Sequence, residues 1–288
     1  MTAFDPAALI APAGILGGVG LVFGTLIAIA HRYLKVWEDP RIDVVTDLLP
    51  GANCGACGFA GCRAFAEGVI EGRTQPAACT VSSPDGIVDI AAFLGVDAGA
   101  AVKRVARLLC AGGSHVALQR ARYRGLATCS AAAAVAGGGK ACTWGCLGLA
   151  DCQVACDFDA ISMTPEGLAL VDPERCTACG DCVEACPKDL FVLMPVDRRL
   201  IVQCRSLLEG DAAEDICQVA CTACGRCAQD APPGVIDIRG GLAVVNYERN
   251  AETGPAATAR CPTGAIVWLE GSTQPLLPAG KRAEPCSS

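Results

Sequence analysis

The longest apolar stretch of the chain lies near its first residue. Residues 7–30 carry no charge over 24 positions, and a helix needs about 20 apolar residues to cross the hydrocarbon core of a membrane. Arg32, Lys35 and Arg41 follow this stretch, whereas no Lys or Arg precedes it. A signal peptide carries its positive charges first. The pattern therefore predicts an uncleaved, single-pass membrane helix with the bulk of the chain on the cytoplasmic side.

Glycines recur within this apolar stretch. Gly14 and Gly18, and again Gly20 and Gly24, stand four residues apart, a spacing that lets a second helix approach closely in lipid. Glycine is also generally frequent in membrane helices, so the pattern favours a helical partner without requiring one. Trp37 fits the aromatic belt at the membrane interface.

Beyond the anchor, the apolar positions form only short runs. Residues 160–163 and 168–171 predict two strands, and Pro165 and Gly167 predict the turn between them. Residues 63–72 predict a short helix, and residues 102–109 and 200–203 predict strands that each end beside a cysteine. Short helices mixed with hairpins indicate an α+β protein.

Cysteine is the unusual component of the composition. The chain has 21 cysteines but only two histidines, and its formal net charge is −7. The negative charge argues against a nucleic-acid partner, because phosphate contacts need clustered Lys and Arg. Disulfide frameworks belong to oxidising compartments, which a cytoplasmic location excludes. Structural zinc sites and iron–sulfur clusters remain.

The cysteines form runs with the spacing of iron–sulfur ligands. One run is C-x2-C-x2-C-x3-C-P, which holds a [4Fe–4S] cluster in bacterial ferredoxins, and a related run with spacings of three and five residues precedes it. A glycine-rich set follows the anchor. These three sets comprise Cys176, Cys179, Cys182 and Cys186; Cys142, Cys146, Cys152 and Cys156; and Cys54, Cys57, Cys62 and Cys79.

A later segment repeats the ferredoxin region with fewer cysteines. Residues 241–250 match residues 167–176 at an offset of 74 positions. In the second copy, Cys221, Cys224, Cys227 and Cys261 remain, while Ala231, Asn250, Thr253 and Ala256 stand where the other four ligands would lie. In two-cluster ferredoxins the fourth cysteine of each run binds the other run's cluster. The four survivors therefore make one complete ligand set.

The same crossing rule assigns the ligands of the first copy. It places Cys142, Cys146 and Cys152 with Cys186, and Cys176, Cys179 and Cys182 with Cys156. Four further cysteines occupy equivalent places before the runs of each copy. They would bind a fifth cluster or remain as buried free thiols; they are Cys110, Cys129, Cys204 and Cys217.

The order of these motifs resembles a known family. A glycine-rich membrane helix, the motif N-C-G-A-C-G-x-x-G-C ending at Cys62, the run C-T-W-G-C-L-G-L-A-D-C ending at Cys152, and a ferredoxin run are similar to the RnfB family, which supplies one subunit of the Rnf ion-translocating electron-transport complex. The resemblance covers residues 7–270. It implies a translocase that moves electrons between ferredoxin and NAD and couples this to Na⁺ or H⁺ transport.

This resemblance sets the remaining expectations. The chain would be a subunit in the cytoplasmic (inner) membrane that carries electrons but has no catalytic residue, with other membrane subunits and soluble ferredoxin or flavodoxin as partners. It would hold four [4Fe–4S] clusters, or five with the additional set. The alternatives are a zinc-stabilised membrane-tethered interaction protein and a ferredoxin-like subunit of another membrane reductase.

The motifs also divide the chain into five expected parts. A membrane anchor is followed by a small, mostly helical [4Fe–4S] domain, a linker with a two-cluster ferredoxin-like module, a degenerate single-cluster module and a tail. The expected boundaries are 1–35, 36–98, 99–200, 201–272 and 273–288.

Overall fold

A computed structural model describes residues 7–33, 38–100 and 102–271 of the chain. The predicted interfacial Trp37, the tail 273–288 and its Cys286 lie outside these ranges. Short helices and two-stranded antiparallel sheets alternate after one long helix. This arrangement confirms the α+β class expected from the sequence.

The long helix α1 comprises Ala7–Tyr33. It contains the predicted apolar stretch and continues for one further turn. Its segment Gly14–Tyr33 is long and apolar enough to cross a membrane, with a mean hydropathy of 1.9 and no burial against the rest of the chain. Large apolar side chains such as Phe23 and Ile27 are therefore exposed, as expected for a helix whose surroundings are lipid.

A small helical unit follows the anchor. It packs around Val45, Phe65 and Ile90, each at most 1% exposed. Ser83 caps its last helix by accepting a hydrogen bond from the Gly86 N–H at 3.1 Å. Its elements are α2 (Arg41–Leu48), α3 (Cys62–Ile70), a 3₁₀ turn (Pro76–Ala78) and α4 (Pro84–Leu94).

The first ferredoxin-like module consists of an inner hairpin and an outer strand pair. The predicted hairpin is confirmed, with Ile161 opposite Val171. The strand predicted before Cys110 pairs with a strand that follows the second cysteine run, with Leu108 opposite Phe191. The elements are β1 (Arg104–Leu108), α5 (Cys129–Ala134), a 3₁₀ turn (Ala136–Gly139), α6 (Asp151–Val154), β2 (Ile161–Met163), β3 (Ala169–Val171), α7 (Asp181–Glu184) and β4 (Phe191–Pro195).

The second module repeats this topology. Its opening strand pairs with its closing strand, with Leu200 opposite Trp268, and an inner hairpin lies between them. The sequence repeat is thus also a structural repeat. The elements are β5 (Leu200–Val202), α8 (Gly210–Ile216), α9 (Arg226–Asp230), β6 (Ile236–Arg239), β7 (Leu242–Val245), a 3₁₀ turn (Asn250–Glu252), α10 (Ala256–Ala259) and β8 (Ile266–Trp268).

Hydrogen bonds between loop segments join the two modules. The Ala111 N–H donates to the Gln203 carbonyl at 3.0 Å, and the Leu118 N–H donates to the Ile216 carbonyl at 2.9 Å. A buried apolar cluster that includes Val116 and Val219 supports these bonds. The segments after β1 and after β5, each of which carries unassigned cysteines, consequently lie against one another.

Candidate metal centres

The glycine-rich loop before α3 brings together the four cysteines of the first motif. Cys54, Cys57, Cys62 and Cys79 line one space of about 340 Å³. Asn53 fixes the loop because its Oδ1 accepts a hydrogen bond from the Cys62 N–H at 2.9 Å. This contact satisfies a free donor at the start of α3, whose N-cap position is a glycine.

A second space lies inside the first module. Its cysteine ligands come from both runs, as the crossing rule predicts: Cys156, Cys176, Cys179 and Cys182 line a space of about 320 Å³. Backbone N–H groups point at two of the sulfurs, with Ala160 N at 3.4 Å from Cys156 Sγ and Ala106 N at 3.4 Å from Cys176 Sγ. N–H donors to sulfur are one of the means by which proteins tune iron–sulfur clusters.

The structure divides the other predicted set of this module. Cys142 does not lie with Cys146, Cys152 and Cys186; it lines a different space of about 340 Å³ at the junction of the modules. A backbone bridge between Gln119 and Lys140, and a 2.9 Å bond from Ala141 N–H to the Leu118 carbonyl, hold Cys142 at the junction. The sequence signal was the departure from the usual spacing of two residues.

Cys129 lies on the side of the module that Cys142 leaves. It begins α5, and its N–H donates to Asp151 Oδ1 at 2.7 Å. Asp151 immediately precedes Cys152 and also accepts from Ser130 N–H at 3.0 Å. The carboxylate therefore holds the start of α5 against the start of α6, which positions Cys129 near Cys152.

The junction space is lined by the other three unassigned cysteines. Cys110, Cys204 and Cys217 lie around it together with Cys142. The predicted additional set of Cys110, Cys129, Cys204 and Cys217 is thus brought together except for Cys129. No feature of the local sequence distinguishes Cys129 from Cys142, because the contacts that separate them are between distant segments.

The second module retains one space with four cysteines. Cys221, Cys224, Cys227 and Cys261 line about 340 Å³. At two of the positions that lost cysteine, Ala231 and Asn250 are buried, and the Asn250 amide donates to the Leu200 carbonyl at 3.4 Å. Side-chain packing occupies these positions.

Burial makes the free thiols of these sites poor acids. It raises the pKa of Cys146, Cys152 and Cys204 to about 12 in each case. Burial opposes the thiolate because a lone charge is poorly solvated in the interior. These cysteines would therefore become thiolates only with a bound metal centre, which compensates their charge.

Lys140 supplies a positive charge beside the junction space. It is only 9% exposed, and its Nζ donates to the carbonyl oxygens of Gly112 and Cys146. Its charge acts on Cys142, Cys146 and Cys217, whose pKa values it lowers against the larger effect of burial. The sequence analysis did not identify this residue.

The spacing of the cysteines suits polyatomic clusters. A zinc ion draws its sulfur ligands to about 2.3 Å. Within the described ranges, no group of three or more Cys, His, Asp or Glu side chains is arranged to hold one metal ion. The four-cysteine spaces of 320–340 Å³ instead leave room for an iron–sulfur core.

Two family descriptions match parts of the chain. Residues 49–81 match a family described as "Putative Fe-S cluster", and residues 169–191 match a "4Fe-4S binding domain". The first match contains the glycine-rich motif, and the second contains most of the regular ferredoxin run. These matches support iron–sulfur clusters as the cofactor.

Full-length comparisons agree with these matches, and each of the three relatives is the B component of its complex. The chain is 40% identical to that of the Na(+)-translocating ferredoxin:NAD(+) oxidoreductase complex of Acetobacterium woodii, over 90% of this chain and 78% of that protein. It is 36% identical to that of the ion-translocating oxidoreductase complex of Methanosarcina acetivorans, over 90% and 97%. It is 38% identical to that of the proton-translocating ferredoxin:NAD(+) oxidoreductase complex of Clostridium ljungdahlii, over 88% and 90%. This chain belongs to the RnfB family of ion-translocating oxidoreductase complexes.

Proposed function

We propose that this chain is the membrane-anchored electron-transfer subunit of an ion-translocating ferredoxin:NAD oxidoreductase complex. The observation that carries the proposal is the set of spaces lined by four cysteines each on a chain with one membrane-competent helix. The names of the relatives supply the reaction of the complex. The chain contributes electron transfer to a translocase and itself has no catalytic residue.

Three ligand sets follow from the placement of the cysteines. Each set would hold one [4Fe–4S] cluster, which accepts and donates single electrons when bound. The sets are Cys54, Cys57, Cys62 and Cys79; Cys156, Cys176, Cys179 and Cys182; and Cys221, Cys224, Cys227 and Cys261. Further clusters involve the cysteines that the structure divides differently from the expected sets.

The protein's own groups prepare these sites. Apolar side chains such as Val202 and Ile266 line the space of the second module and exclude water from it. Backbone N–H groups near Cys156 and Cys176 donate toward sulfur. Exclusion of water and donation to sulfur are two of the factors that set cluster potentials.

The anchor and the partners follow from the charge pattern and the family. We assign α1 to a single membrane pass with the modules in the cytoplasm, because the basic residues follow the helix. The functional parts are the anchor (1–35), the helical unit (36–98), two ferredoxin-like modules (99–200 and 201–272) and a tail (273–288). Soluble ferredoxin or flavodoxin would supply electrons, and other membrane subunits would receive them.

A deletion tests this role in the complex. Removing the chain should abolish ferredoxin-dependent NAD reduction, and the wild-type chain should restore it. Cys79→Ala, which removes a ligand of the first site, should restore less activity than the control Cys286→Ala, which lies outside all ligand sets. The proposal is contradicted if the complex without this chain reduces NAD with ferredoxin at the wild-type rate.

A further inference from the structure

The cysteines outside the three sets above form two groups of four. One group lines the space at the module junction, and the other surrounds the starts of α5 and α6. We propose that Cys110, Cys142, Cys204 and Cys217 bind one [4Fe–4S] cluster that joins the modules, and that Cys129 completes a second site with Cys146, Cys152 and Cys186. This inference rests on the proposed electron-transfer function and adds the ligands and the path within it.

The junction cysteines converge on one space from separate segments. The position that a Cβ would take on Gly112 lies 3.0 Å from Cys217 Sγ and 3.7 Å from Cys110 Sγ, so these two sulfurs are less than about 7 Å apart. Cys142 and Cys204 complete the lining. A glycine at position 112 keeps the space open, since a larger side chain would enter it.

Backbone donors point at the junction sulfurs as they do in the module sites. Cys146 N lies 3.4 Å from Cys110 Sγ, and Ser206 N lies 3.4 Å from Cys204 Sγ. Buried free thiols need no such donors, because a thiol is only a weak acceptor. Thiolates that hold a cluster use them.

The second group is assembled around Cys152. Asp151 holds the first residue of α5, Cys129, through its backbone N–H. The charges of Cys129 and Cys186 act on the Cys152 thiol, after the larger effect of burial. Cys146 also acts within range of Cys152. Replacing Cys142 by Cys129 thus leaves a full set of four near the second run.

The reassigned sites form a continuous series through the two modules. Cys152 lies within electrostatic range of Cys182 in the neighbouring site. Cys146 donates its N–H to Cys110 at the junction, and Cys221 of the last site donates its N–H to Cys204. The junction site therefore contacts a site in each module and would connect their electron paths.

Pairs of substitutions in the full-length chain, purified anaerobically in detergent, distinguish the two ligand assignments. Iron and sulfide analysis, with EPR of the oxidised and reduced protein, measures how many clusters are lost or converted to three-iron forms. Cys142→Ala with Cys217→Ala should affect one cluster, because both residues belong to the junction site. Cys129→Ala with Cys217→Ala should affect two. The assignment based on the crossing rule predicts the opposite counts, and that result would overturn the proposal.

A milder substitution guards against misfolding. Cys217→Ser keeps the side-chain size and should alter the EPR spectrum of one cluster, whereas Cys286→Ala should leave the spectrum unchanged. A Cys217→Ser spectrum identical to the wild type contradicts the junction cluster even if the alanine variants are unstable. Wild-type protein without inorganic sulfide would instead refute the proposed function itself, so the two failures are distinguishable.

Discussion

Replacing Lys140 with methionine should make the junction cluster harder to reduce. Lys140 is buried, and its Nζ donates to the carbonyl oxygens of Gly112 and Cys146. Its positive charge favours the reduced, more negative cluster. Methionine keeps most of the side-chain volume and removes the charge, so the reduction potential of that cluster should fall.

The size of the shift follows from the distances around Gly145. Lys140 Cε and Cys142 Cβ lie 3.2 and 3.4 Å from the same point, the Cβ position of Gly145, so they are less than about 7 Å apart. At about 7 Å and an effective dielectric constant of about 20, a unit charge contributes about 2 kcal/mol. This energy corresponds to about 100 mV for one electron. Salt and water reduce the effect, so we expect a decrease on the order of 50–100 mV.

An EPR-monitored redox titration of the full-length protein measures this potential. The cluster affected by Lys140→Met should be the one that Cys217→Ser alters. Lys103→Met serves as a control, because Lys103 is exposed and pairs with Glu174 at 3.7 Å, where solvent screens its charge. An unchanged midpoint in Lys140→Met, at wild-type iron content, would refute the electrostatic role of Lys140.

Three further predictions concern the positions that support the ligands. Asp151→Ala should cost about 1–3 kcal/mol by leaving the Cys129 N–H without its acceptor, and should speed iron loss to a chelator relative to Asp157→Ala. Gly148→Ala should lower the melting temperature more than Gly137→Ala; both have φ near +72°, but only at Gly148 would a Cβ meet a neighbouring atom, the Gly167 carbonyl oxygen at 2.7 Å. Iron removal should abolish near-UV circular dichroism and protease resistance in both modules; retained resistance would contradict cluster-dependent folding.

The local elements were predictable because local chemistry determines them. Pro165 and Gly167 mark the turn of the β2–β3 hairpin, and the structure has that hairpin. The strands expected before Cys110 and Cys204 are also present as β1 and β5. Their partners could not be identified from the sequence, because each pairs with a strand about 65 to 90 residues away.

The ligand groups were predictable only where spacing alone determines them. Cys54, Cys57 and Cys62 lie on one short loop, so proximity in sequence ensures proximity in space. Cys142 and Cys129 compete for two sites, and contacts between distant segments decide the outcome. The bridge from Gln119 to Lys140 moves Cys142 to the junction, a contact that no periodic pattern in the sequence indicates.

The central claim is that this chain carries electrons on iron–sulfur clusters. Anaerobic purification of the full-length protein, followed by metal and sulfide analysis and EPR, tests it most directly. The account predicts a brown protein with about 20 iron and about 20 sulfide per chain, whose visible absorbance bleaches on reduction and whose reduced form gives EPR signals of [4Fe–4S] clusters. A colourless protein that contains zinc and no inorganic sulfide would contradict it.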